Sequence, residues 1–476
     1  MQSPVEHGTV VPARDGRLVL LGAVAMFAVL SLVYTASIDI RATRGASITG
    51  DEPFYLLTTQ SLWHDGDLDL TQQYERRSYR FFFDHPDGLW RQSVPRENGV
   101  LLSPHNPGLS FLVYPGFRYA GLLGVQVQLL VLAALTFALT YILTARTTGA
   151  PVWSWLATAA VALSASAFVH ATEIYPEVPG ALVLVSSLLL AHSVRRPGVW
   201  HALALAVLLT ALMWLSVKYV PLAGLVALWF LFRAAPRARI ALLAAGALSA
   251  AYYAWFHLHT FGFLTPYSVG AVYAGDATLD VVGQHLAFPD RFYRLWGLFI
   301  DERFGVGRWA PVLLPAVPAL VLLWRRGGTF RLVLALFLSQ VLVATFVNIT
   351  MMGWWFPGRI LMVVLPLLAV PLALLWARLP RSGQIAMGVL AVHTVAITTA
   401  LAQAGHAREI VTAVDPFDMR SPVFQAMAPF FPNYTSWDLW TVALTAVWLI
   451  AAVAAAMGVT WMDRRTPVEP TDSPGQ

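Results

Sequence analysis

The sequence predicts an all-α, polytopic membrane protein with about 12 transmembrane helices. Of its 476 residues, 57% are hydrophobic and 12% are charged, whereas roughly a quarter of the residues in a soluble domain are charged. Apolar runs recur along the whole chain, and a spanning helix needs roughly 20 such residues. The chain therefore has room for a helical bundle and a few sizeable loops, of which the first is predicted to carry helices parallel to the membrane.

Twelve apolar runs define one membrane domain over 1–461, with a disordered cytoplasmic tail at 462–476. No small-residue cleavage site follows the first run, so it is predicted to be a retained helix and not a signal peptide. Three prolines interrupt the run at 309–324, which neighbouring helices in lipid tolerate. The runs are 18–38, 124–145, 152–171, 177–194, 201–217, 219–232, 238–257, 309–324, 330–349, 360–377, 384–404 and 438–461.

Arginines and carboxylates lie on opposite sides of this predicted bundle. Cytoplasmic turns collect Lys and Arg, and the turns that hold arginine here contain no acid. Both termini are therefore predicted to be cytoplasmic, in the plasma membrane, with long extracytoplasmic loops at 39–123, 258–308 and 405–437. The arginines of the ends and turns are Arg14, Arg17, Arg146, Arg195, Arg196, Arg233, Arg237, Arg239, Arg325, Arg326, Arg331, Arg378, Arg381, Arg464 and Arg465.

Composition excludes several classes of site. The chain has no cysteine, which excludes disulfides, thiolate metal sites and cysteine nucleophiles. Its net charge of +5 comes from arginines scattered among apolar runs, and these form no basic stripe that would bind nucleic acid.

The first candidate site is an adjacent pair of carboxylates, Asp51 and Glu52, a dozen residues after the first apolar run. Pro53 follows, so the pair stands at a predicted helix start, and a helix cap is one interpretation. Two adjacent carboxylates beside a hydrophobic bundle repel each other and lose hydration, however, and a single Asp would cap as well. A catalytic role is the alternative.

These residues resemble the GT-C superfamily of membrane glycosyltransferases, especially the protein O-mannosyltransferase and lipid A aminoarabinose transferase branch. The likeness lies in the Asp51-Glu52 pair, in a second acid at Glu173 or Glu177, and in the Ser103–Gly108 turn before the second helix. In aminoarabinose-transferase-like members that turn usually carries a lysine, where this chain has His105.

The resemblance implies inverting transfer of a sugar from a polyprenyl-phosphate donor to a hydroxyl of a glycan, lipid or protein at the outer membrane face, in cell-envelope glycan biosynthesis. Such a reaction needs a carboxylate base and cations that hold the departing phosphate. Asp51 is the predicted base, and Glu52 is predicted to orient the acceptor or to tune Asp51. Glu173 and Glu177 form a predicted second acidic site for the acceptor or a metal.

Four residues are candidates for the donor phosphate: Lys218, Arg359, Arg303 and His105. Lys218 is the one lysine of the chain and lies between two apolar runs, where cations are commonly functional; snorkelling to lipid headgroups is its alternative. Arg359 follows an aromatic cluster that is also typical of a membrane interface. Arg303 is the third candidate, together with Arg308.

No cofactor is predicted as required, although a divalent metal remains an alternative. The acids Asp65, Asp67 and Asp69 have spacing like that of a calcium loop, but position 76, where an EF-hand has its glutamate, is arginine. An acidic turn is the other interpretation. His257 and His259 are predicted to be interfacial polar groups, with substrate contact as the alternative.

Two other classes of function remain open from the sequence. A transporter or flippase of lipid-linked sugars would carry charges in mid-helix, whereas the charges here gather in loops, which favours an enzyme. A non-catalytic subunit of polysaccharide assembly would tolerate Asp51→Asn.

Overall fold

The computed structural model of the protein describes residues 13–192, 194, 196–273, 276–285 and 290–465. Helices make up 72% of the structure, and within these ranges an isolated bridge between Ser93 and Gly270 is the only β-type pairing. The predicted all-α class is therefore confirmed. Arg195 and residues 466–476 of the predicted tail lie outside the described residues.

The first part of the chain forms ten α-helices. They are α1 (Ala13–Tyr34), α2 (Glu52–His64), α3 (Thr71–Glu75), α4 (Gly108–Thr148), α5 (Pro151–Ala162), α6 (Ala165–His170), α7 (Glu177–His192), α8 (Val199–Leu215), α9 (Val220–Arg233) and α10 (Pro236–Phe261).

Ten further α-helices follow, joined by short 3-10 turns. They are α11 (Thr278–His285), α12 (Arg294–Ile300), α13 (Val306–Trp309), α14 (Ala316–Ala319), α15 (Val321–Arg326), α16 (Gly328–Phe346), α17 (Ala369–Arg378), α18 (Arg381–His406), α19 (Pro422–Gln425) and α20 (Leu439–Arg465). The 3-10 turns are 35–37, 78–81, 217–219, 266–269, 271–273, 311–313, 359–361, 365–368, 416–418 and 428–430.

Six helical segments among the described residues are long and apolar enough to cross a membrane. They are Gly16–Ser37, Gly108–Thr148, Pro236–Val269, Gly328–Phe346, Arg381–His406 and Leu439–Arg465, and shorter apolar helices span Pro151–Ala162, Glu177–His192, Val199–Leu215 and Leu365–Arg378. The multi-pass membrane protein expected from the sequence is confirmed.

Several predicted runs are broken helices. In the run 309–324, Pro311, Pro315 and Pro318 divide the chain into a 3-10 turn and two short helices, because proline has no N–H for the helical ladder. The run 152–171 is divided at Ser164, whose hydroxyl accepts a hydrogen bond from the Ala167 amide at 3.4 Å and so starts α6.

Helix α4 folds back on itself. Ala120 and Gly121 leave helical geometry, and the Gln128 side chain donates to the Leu112 carbonyl at 2.7 Å. In a straight helix these two residues would be about 24 Å apart. The predicted second helix at 124–145 is therefore the second arm of α4, and the first arm, around Pro115, lies in the predicted loop 39–123.

Three predicted boundaries differ from those observed. Helices α10 and α18 extend to Phe261 and His406, a few residues into the predicted loops. Residues 462–465, assigned to the tail, form the last turn of α20. Asp463 holds this turn in the helix, because its carboxylate pairs with Arg326 at 2.6 Å.

A close approach of α4 and α8 positions the candidate site. A Cβ atom at Gly108 would lie 2.3 Å from the carbonyl oxygen of Trp214, so only glycine allows this contact. The preceding Asn106 then reaches the 3-10 turn after α8 and helix α10: its Oδ1 accepts from the Val217 amide at 3.4 Å, and its Nδ2 donates to the Tyr253 hydroxyl at 2.8 Å. The turn that contains His105 is thereby fixed beside Lys218.

Candidate active site

Asp51 stands at the first position before α2, but its side chain makes no capping hydrogen bond to the helix. Its carboxylate instead faces Arg359, which lies 308 residues further along the chain. Gly50 precedes it with φ = 59°, and a Cβ atom there would lie 2.7 Å from the Tyr175 hydroxyl. The helix-cap interpretation is therefore wrong for the Asp51 side chain.

Four charged side chains alternate in sign beside this point, and we call them the ion-pair chain: Asp51, Arg359, Glu177 and Lys218. Asp51 Oδ2 lies 2.7 Å from Arg359 Nη2, and Arg359 Nε lies 3.3 Å from Glu177 Oε1. The same Glu177 oxygen accepts from Lys218 Nζ at 2.6 Å. Two carboxylates thus balance two cations.

The side chains at the two ends of the ion-pair chain are more exposed than the two in its middle. The Asp51 side chain is 22% exposed and that of Lys218 is 11% exposed, whereas Arg359 and Glu177 are 5% and 0% exposed. Buried charges need partners because they lose their hydration. Asp51 and Lys218, at the two ends of the ion-pair chain, are therefore its accessible groups, and Arg359 and Glu177 form its buried interior.

Aromatic rings and a glycine hold Arg359 in place. Its guanidinium lies 3.6 Å from the ring centre of Tyr175 and 4.7 Å from that of Trp355, a cation–π arrangement. Gly358 has φ = 93°, and a Cβ atom there would lie 2.8 Å from Ser166 Oγ. The backbone before Arg359 therefore accepts glycine alone without strain.

The second oxygen of Asp51 faces Gln92 and His105. Gln92 Nε2 donates to Asp51 Oδ1 at 3.4 Å, and Gln92 Oε1 accepts from His105 Nε2 at 2.7 Å. His105 Nε2 itself lies 3.7 Å from Asp51 Oδ1. The Gln92 backbone carbonyl accepts from the Ala271 amide at 2.7 Å, which ties this part of the first loop to the segment after α10.

These surroundings set the pKa of Asp51. Burial opposes its ionisation, but the Arg359 guanidinium, His105 and the hydrogen bonds from Arg359 and Gln92 outweigh burial, so the pKa lies below the ordinary range. Burial lowers the pKa of His105, although the Asp51 charge opposes that shift. At neutral pH, Asp51 is a carboxylate beside a neutral imidazole.

Glu52 is held by backbone amides and not by an ion pair with Arg359 or Lys218. Its side chain is buried, with Oε2 accepting from the Thr49 amide at 2.9 Å and Oε1 accepting from the Ile174 amide at 3.0 Å. Burial raises the pKa of Glu52 to about 7, and the two backbone hydrogen bonds and Arg359 partly offset that rise. Glu52 therefore anchors the start of α2 to the turn between α6 and α7.

Glu173 lies on the far side of Glu52, away from Asp51, in a small cavity. Its Oε2 is 3.3 Å from His170 Nε2, and that histidine places Nδ1 2.7 Å from the Ser166 carbonyl oxygen. Burial and then the nearby Glu52 raise the pKa of Glu173. The cavity is lined by Ser37, Ile40, Ala42, Ser47, Ile48, Glu52, Gln126, Val169, Thr172, Glu173 and Thr412.

Other predicted candidates lie elsewhere. The Arg303 guanidinium stacks on Phe417, 5.1 Å from its ring centre, and the buried Arg308 donates to the Glu302 carbonyl at 2.9 Å. His257 is buried and places Nδ1 2.9 Å from the Tyr253 carbonyl, while His259 stacks on Trp255 with ring centres 5.8 Å apart. None of the contacts described joins these residues to the ion-pair chain.

The acidic run is a hydrogen-bonded turn. Asp67 Oδ1 accepts from the Ser61 hydroxyl at 2.8 Å, and Asp69 Oδ1 accepts from the Thr71 hydroxyl at 2.7 Å and the Leu101 amide at 3.0 Å. Within the described ranges, no three His, Asp or Glu side chains converge as metal ligands.

Sequence reasoning missed Gln92 and Tyr175 as members of the site. Gln92 belongs to no recognisable motif, and its role depends on a pairing between two distant loops. Tyr175 lies in the Thr172–Glu177 stretch that was singled out for its acids, and its ring becomes significant once Arg359 is known to stack on it.

Comparison with known proteins gives a match in structure alone. No protein-family model and no curated protein matches the sequence. The structure matches that of ArnT from Cupriavidus metallidurans in the apo state, at 16% identity and a TM-score of 0.52, over 94% of this chain and 76% of that one. The chain has the fold of ArnT.

ArnT is a lipid A aminoarabinose transferase of the GT-C type, so the predicted GT-C-like fold is confirmed. A second structure of ArnT from the same organism, bound to undecaprenyl phosphate, matches at 15% identity over 93% of this chain and 78% of that one, with a TM-score of 0.46.

Proposed function

We propose that this protein is an inverting glycosyltransferase, which moves a sugar from a polyprenyl-phosphate donor to an acceptor hydroxyl at the outer face of the membrane. The observation that carries the proposal is the ion-pair chain. It puts a partly exposed carboxylate, Asp51, within 2.7 Å of a buried arginine, with Lys218 beyond it, in a chain that has the ArnT fold.

The chemistry uses both ends of the ion-pair chain. The acceptor oxygen attacks the anomeric carbon of the donor sugar while Asp51 takes the hydroxyl proton. The bond from that carbon to the phosphate oxygen breaks, and its electrons remain on the departing polyprenyl phosphate. Arg359 and Lys218 stabilise the charge that develops on this phosphate.

In this proposal Arg359 takes part both in binding the donor phosphate and in setting the basicity of Asp51. Before the donor binds, Asp51 and Glu177 already neutralise Arg359 and Lys218. A donor phosphate that takes Arg359 Nη2 deprives Asp51 of the cation that stabilises its charge, and Asp51 then becomes a stronger base. The carboxylate would gain basicity when the sugar is in place.

The two glutamates acquire roles other than those predicted from sequence. We assign Glu177 the task of holding Lys218 and Arg359 close together, since one of its oxygens contacts both cations. Glu52 fixes the position of α2, because each of its carboxylate oxygens accepts a hydrogen bond from a backbone amide. Glu173 faces a separate cavity that Asp51 does not line, so we assign it no contact with the reacting hydroxyl.

The proposal is tested by incubating the purified protein with radiolabelled polyprenyl-phosphate sugars and the lipids and glycans of its own membrane. We expect label to appear in a new glycoside, and Asp51→Asn to abolish its formation while donor binding persists. Asp87→Asn is the matched control, because that carboxylate belongs to the same loop and is 90% exposed.

Two results would contradict the proposal. Normal turnover by Asp51→Asn would remove the base assignment. Movement of intact labelled donor across a proteoliposome membrane without any new glycoside would favour the transporter interpretation instead.

A further inference from the structure

A cluster of three arginines around one carboxylate, which we call the arginine cluster, lies where α15, α17 and α20 end. Arg326 Nη2 is 2.6 Å from Asp463 Oδ1, Arg378 Nε is 3.5 Å from the same oxygen, and Arg325 Nε is 3.6 Å from Oδ2. Three guanidinium groups therefore share a single carboxylate, which leaves a local excess of two positive charges.

The arginine cluster is at the opposite end of the bundle from the ion-pair chain. Helix α16 begins two residues after Arg326, and the segment that follows its far end leads to Arg359. Its 19 residues span about 28 Å, close to the roughly 30 Å thickness of a bilayer core. The arginine cluster thus lies near one membrane surface when the candidate active site lies near the other.

The excess charge has no other acidic partner in the part of the chain that the structure describes. The stretches 320–340 and 370–385 contain no Asp or Glu. Each guanidinium also donates to one backbone carbonyl near a helix end. Arg325 donates to Thr460, Arg326 to Leu322 and Arg378 to Leu374. Each guanidinium has about five N–H donors, so most of these donors remain for another acceptor.

The arginine cluster remains accessible at the depth of lipid headgroups. The side chains of Arg325, Arg326 and Arg378 are 32%, 14% and 21% exposed. Exposed tryptophans flank it, with Trp324 under Arg331 at 5.3 Å and Trp461 under Arg465 at 3.7 Å. Tryptophan concentrates at the membrane–water interface, and basic pockets between helix ends there suit lipid phosphates.

We propose that Arg325, Arg326 and Arg378 bind the phosphate group of an anionic membrane lipid, in competition with the Asp463 carboxylate that they share. This site is separate from the proposed transferase site and does not depend on the transferase activity. The bound phosphodiester would neutralise one of the two excess positive charges that Asp463 leaves.

The test measures phosphatidylglycerol binding to the full-length protein in detergent by native mass spectrometry. Phosphatidylcholine and inorganic phosphate are the two comparison ligands. The double variant Arg325→Gln/Arg378→Gln keeps the 2.6 Å Arg326–Asp463 pair that docks α20. We expect it to weaken phosphatidylglycerol binding roughly 25-fold, about fivefold for each arginine near an anionic surface.

Two further variants separate a lipid site from a purely structural contact. Arg331→Gln removes a cation at the same end that makes no contact with Asp463, and it should weaken phosphatidylglycerol binding less than Arg378→Gln does. Asp463→Asn removes the competing carboxylate and should tighten phosphatidylglycerol binding. If the double variant fails to fold, Arg378→Gln alone should weaken binding roughly fivefold.

Three outcomes would overturn the proposal. The first is equal affinity for phosphatidylcholine and phosphatidylglycerol. The second is Asp463→Asn weakening the binding of phosphatidylglycerol, since a structural contact alone would then be lost. The third is inorganic phosphate occupying the site as tightly as the lipid does, which would make it a site for free phosphate.

Discussion

Asp51 combines a partly exposed carboxylate with a buried cation, and this pairing defines its expected behaviour. Asp51→Asn preserves the shape of the side chain but removes its capacity to accept a proton. Turnover should therefore fall by about 10² to 10⁴, as for a lost general base, while donor affinity stays the same or rises as Arg359 is freed. Single-turnover kinetics and a separate donor-binding measurement check the two expectations, and a parallel loss of donor binding would argue against the base assignment.

Lys218 is the accessible cation of the ion-pair chain, and Glu177 holds it at 2.6 Å. Lys218→Ala should raise the donor KM or lower kcat by about one to three orders of magnitude, the effect of losing one preorganised charge contact. Lys218→Arg should restore part of the loss. The exposed Arg76 of the first loop provides the control, as Arg76→Ala should leave both constants near normal; equal effects from the two alanine variants would indicate a general change in charge.

Glu52 gives a pH dependence whose sign follows from burial. Burial raises its pKa from an ordinary 4.5 to about 7, so between these values the folded protein holds a proton that the unfolded chain has lost. The free energy of unfolding should therefore decrease as pH rises through this window, by roughly 1 to 3 kcal/mol.

The Glu52→Gln variant isolates this effect. It should flatten much of the decrease, because its side chain does not titrate, while Glu173, whose pKa is also raised by burial, retains a part. Thermal unfolding in detergent at pH 5 and pH 8 measures the slope. A variant with the full wild-type slope would show that another group is responsible.

At the residue scale, the sequence identifies groups whose chemistry is unusual in their setting. Asp51, Glu177 and Lys218 stand out as charges beside apolar runs, and the structure brings them together. Their partners are less predictable, because Asp51 and Arg359 are 308 residues apart and nothing local marks the pairing. Gln92 was missed for the same reason, since its position depends on a loop-to-loop contact.

At the scale of helices, the apolar runs predicted where helices occur better than they predicted whether each helix is continuous. The runs at 309–324 and 152–171 are real, but they break where proline removes a ladder donor or serine caps a new helix. The fold-back within α4 was unpredictable, because Gln128 reaches Leu112 only after the chain turns at Gly121, and periodicity carries no information on such tertiary contacts.

The close contact of α4 with α8 at Gly108 gives a testable prediction for stability and donor binding. A methyl group at Gly108 would meet the Trp214 carbonyl oxygen at 2.3 Å, so Gly108→Ala should force the helices apart and cost about 1 to 3 kcal/mol of stability. Because the adjacent turn holds Asn106 against Val217, donor binding by Lys218 should weaken as well.

Gly246 is the matched control for that change. It lies inside α10 with nothing within 4 Å of its Cβ position, so Gly246→Ala should be neutral or stabilise the helix by about 0.5 to 1 kcal/mol. Melting temperatures of both variants, with the donor KM, test the pair. Equal melting temperatures for the two would mean that the α4–α8 contact yields to a methyl group without strain.

For the whole molecule, the distribution of charge predicts its orientation in the membrane. Arg237 lies at the start of α10 and Arg381 at the start of α18, and the turn before each helix contains no Asp or Glu. Basic turns of this kind remain cytoplasmic. The first loop, with Asp51 and Asp87, emerges from the opposite ends of the helices. The chain has no cysteine, so a single introduced thiol reports its own side of the membrane.

We therefore expect Arg237→Cys and Arg381→Cys to resist a membrane-impermeant maleimide in intact cells and to react after permeabilisation. Asp87→Cys should react in intact cells, since that side chain is 90% exposed. All three positions are at the protein surface, so differences in labelling report membrane side and not burial. Labelling of Arg381→Cys from outside would show that the bundle has the opposite orientation in the membrane. Asp51 would then lie on the cytoplasmic side, and the proposed sugar donor would have to be used there.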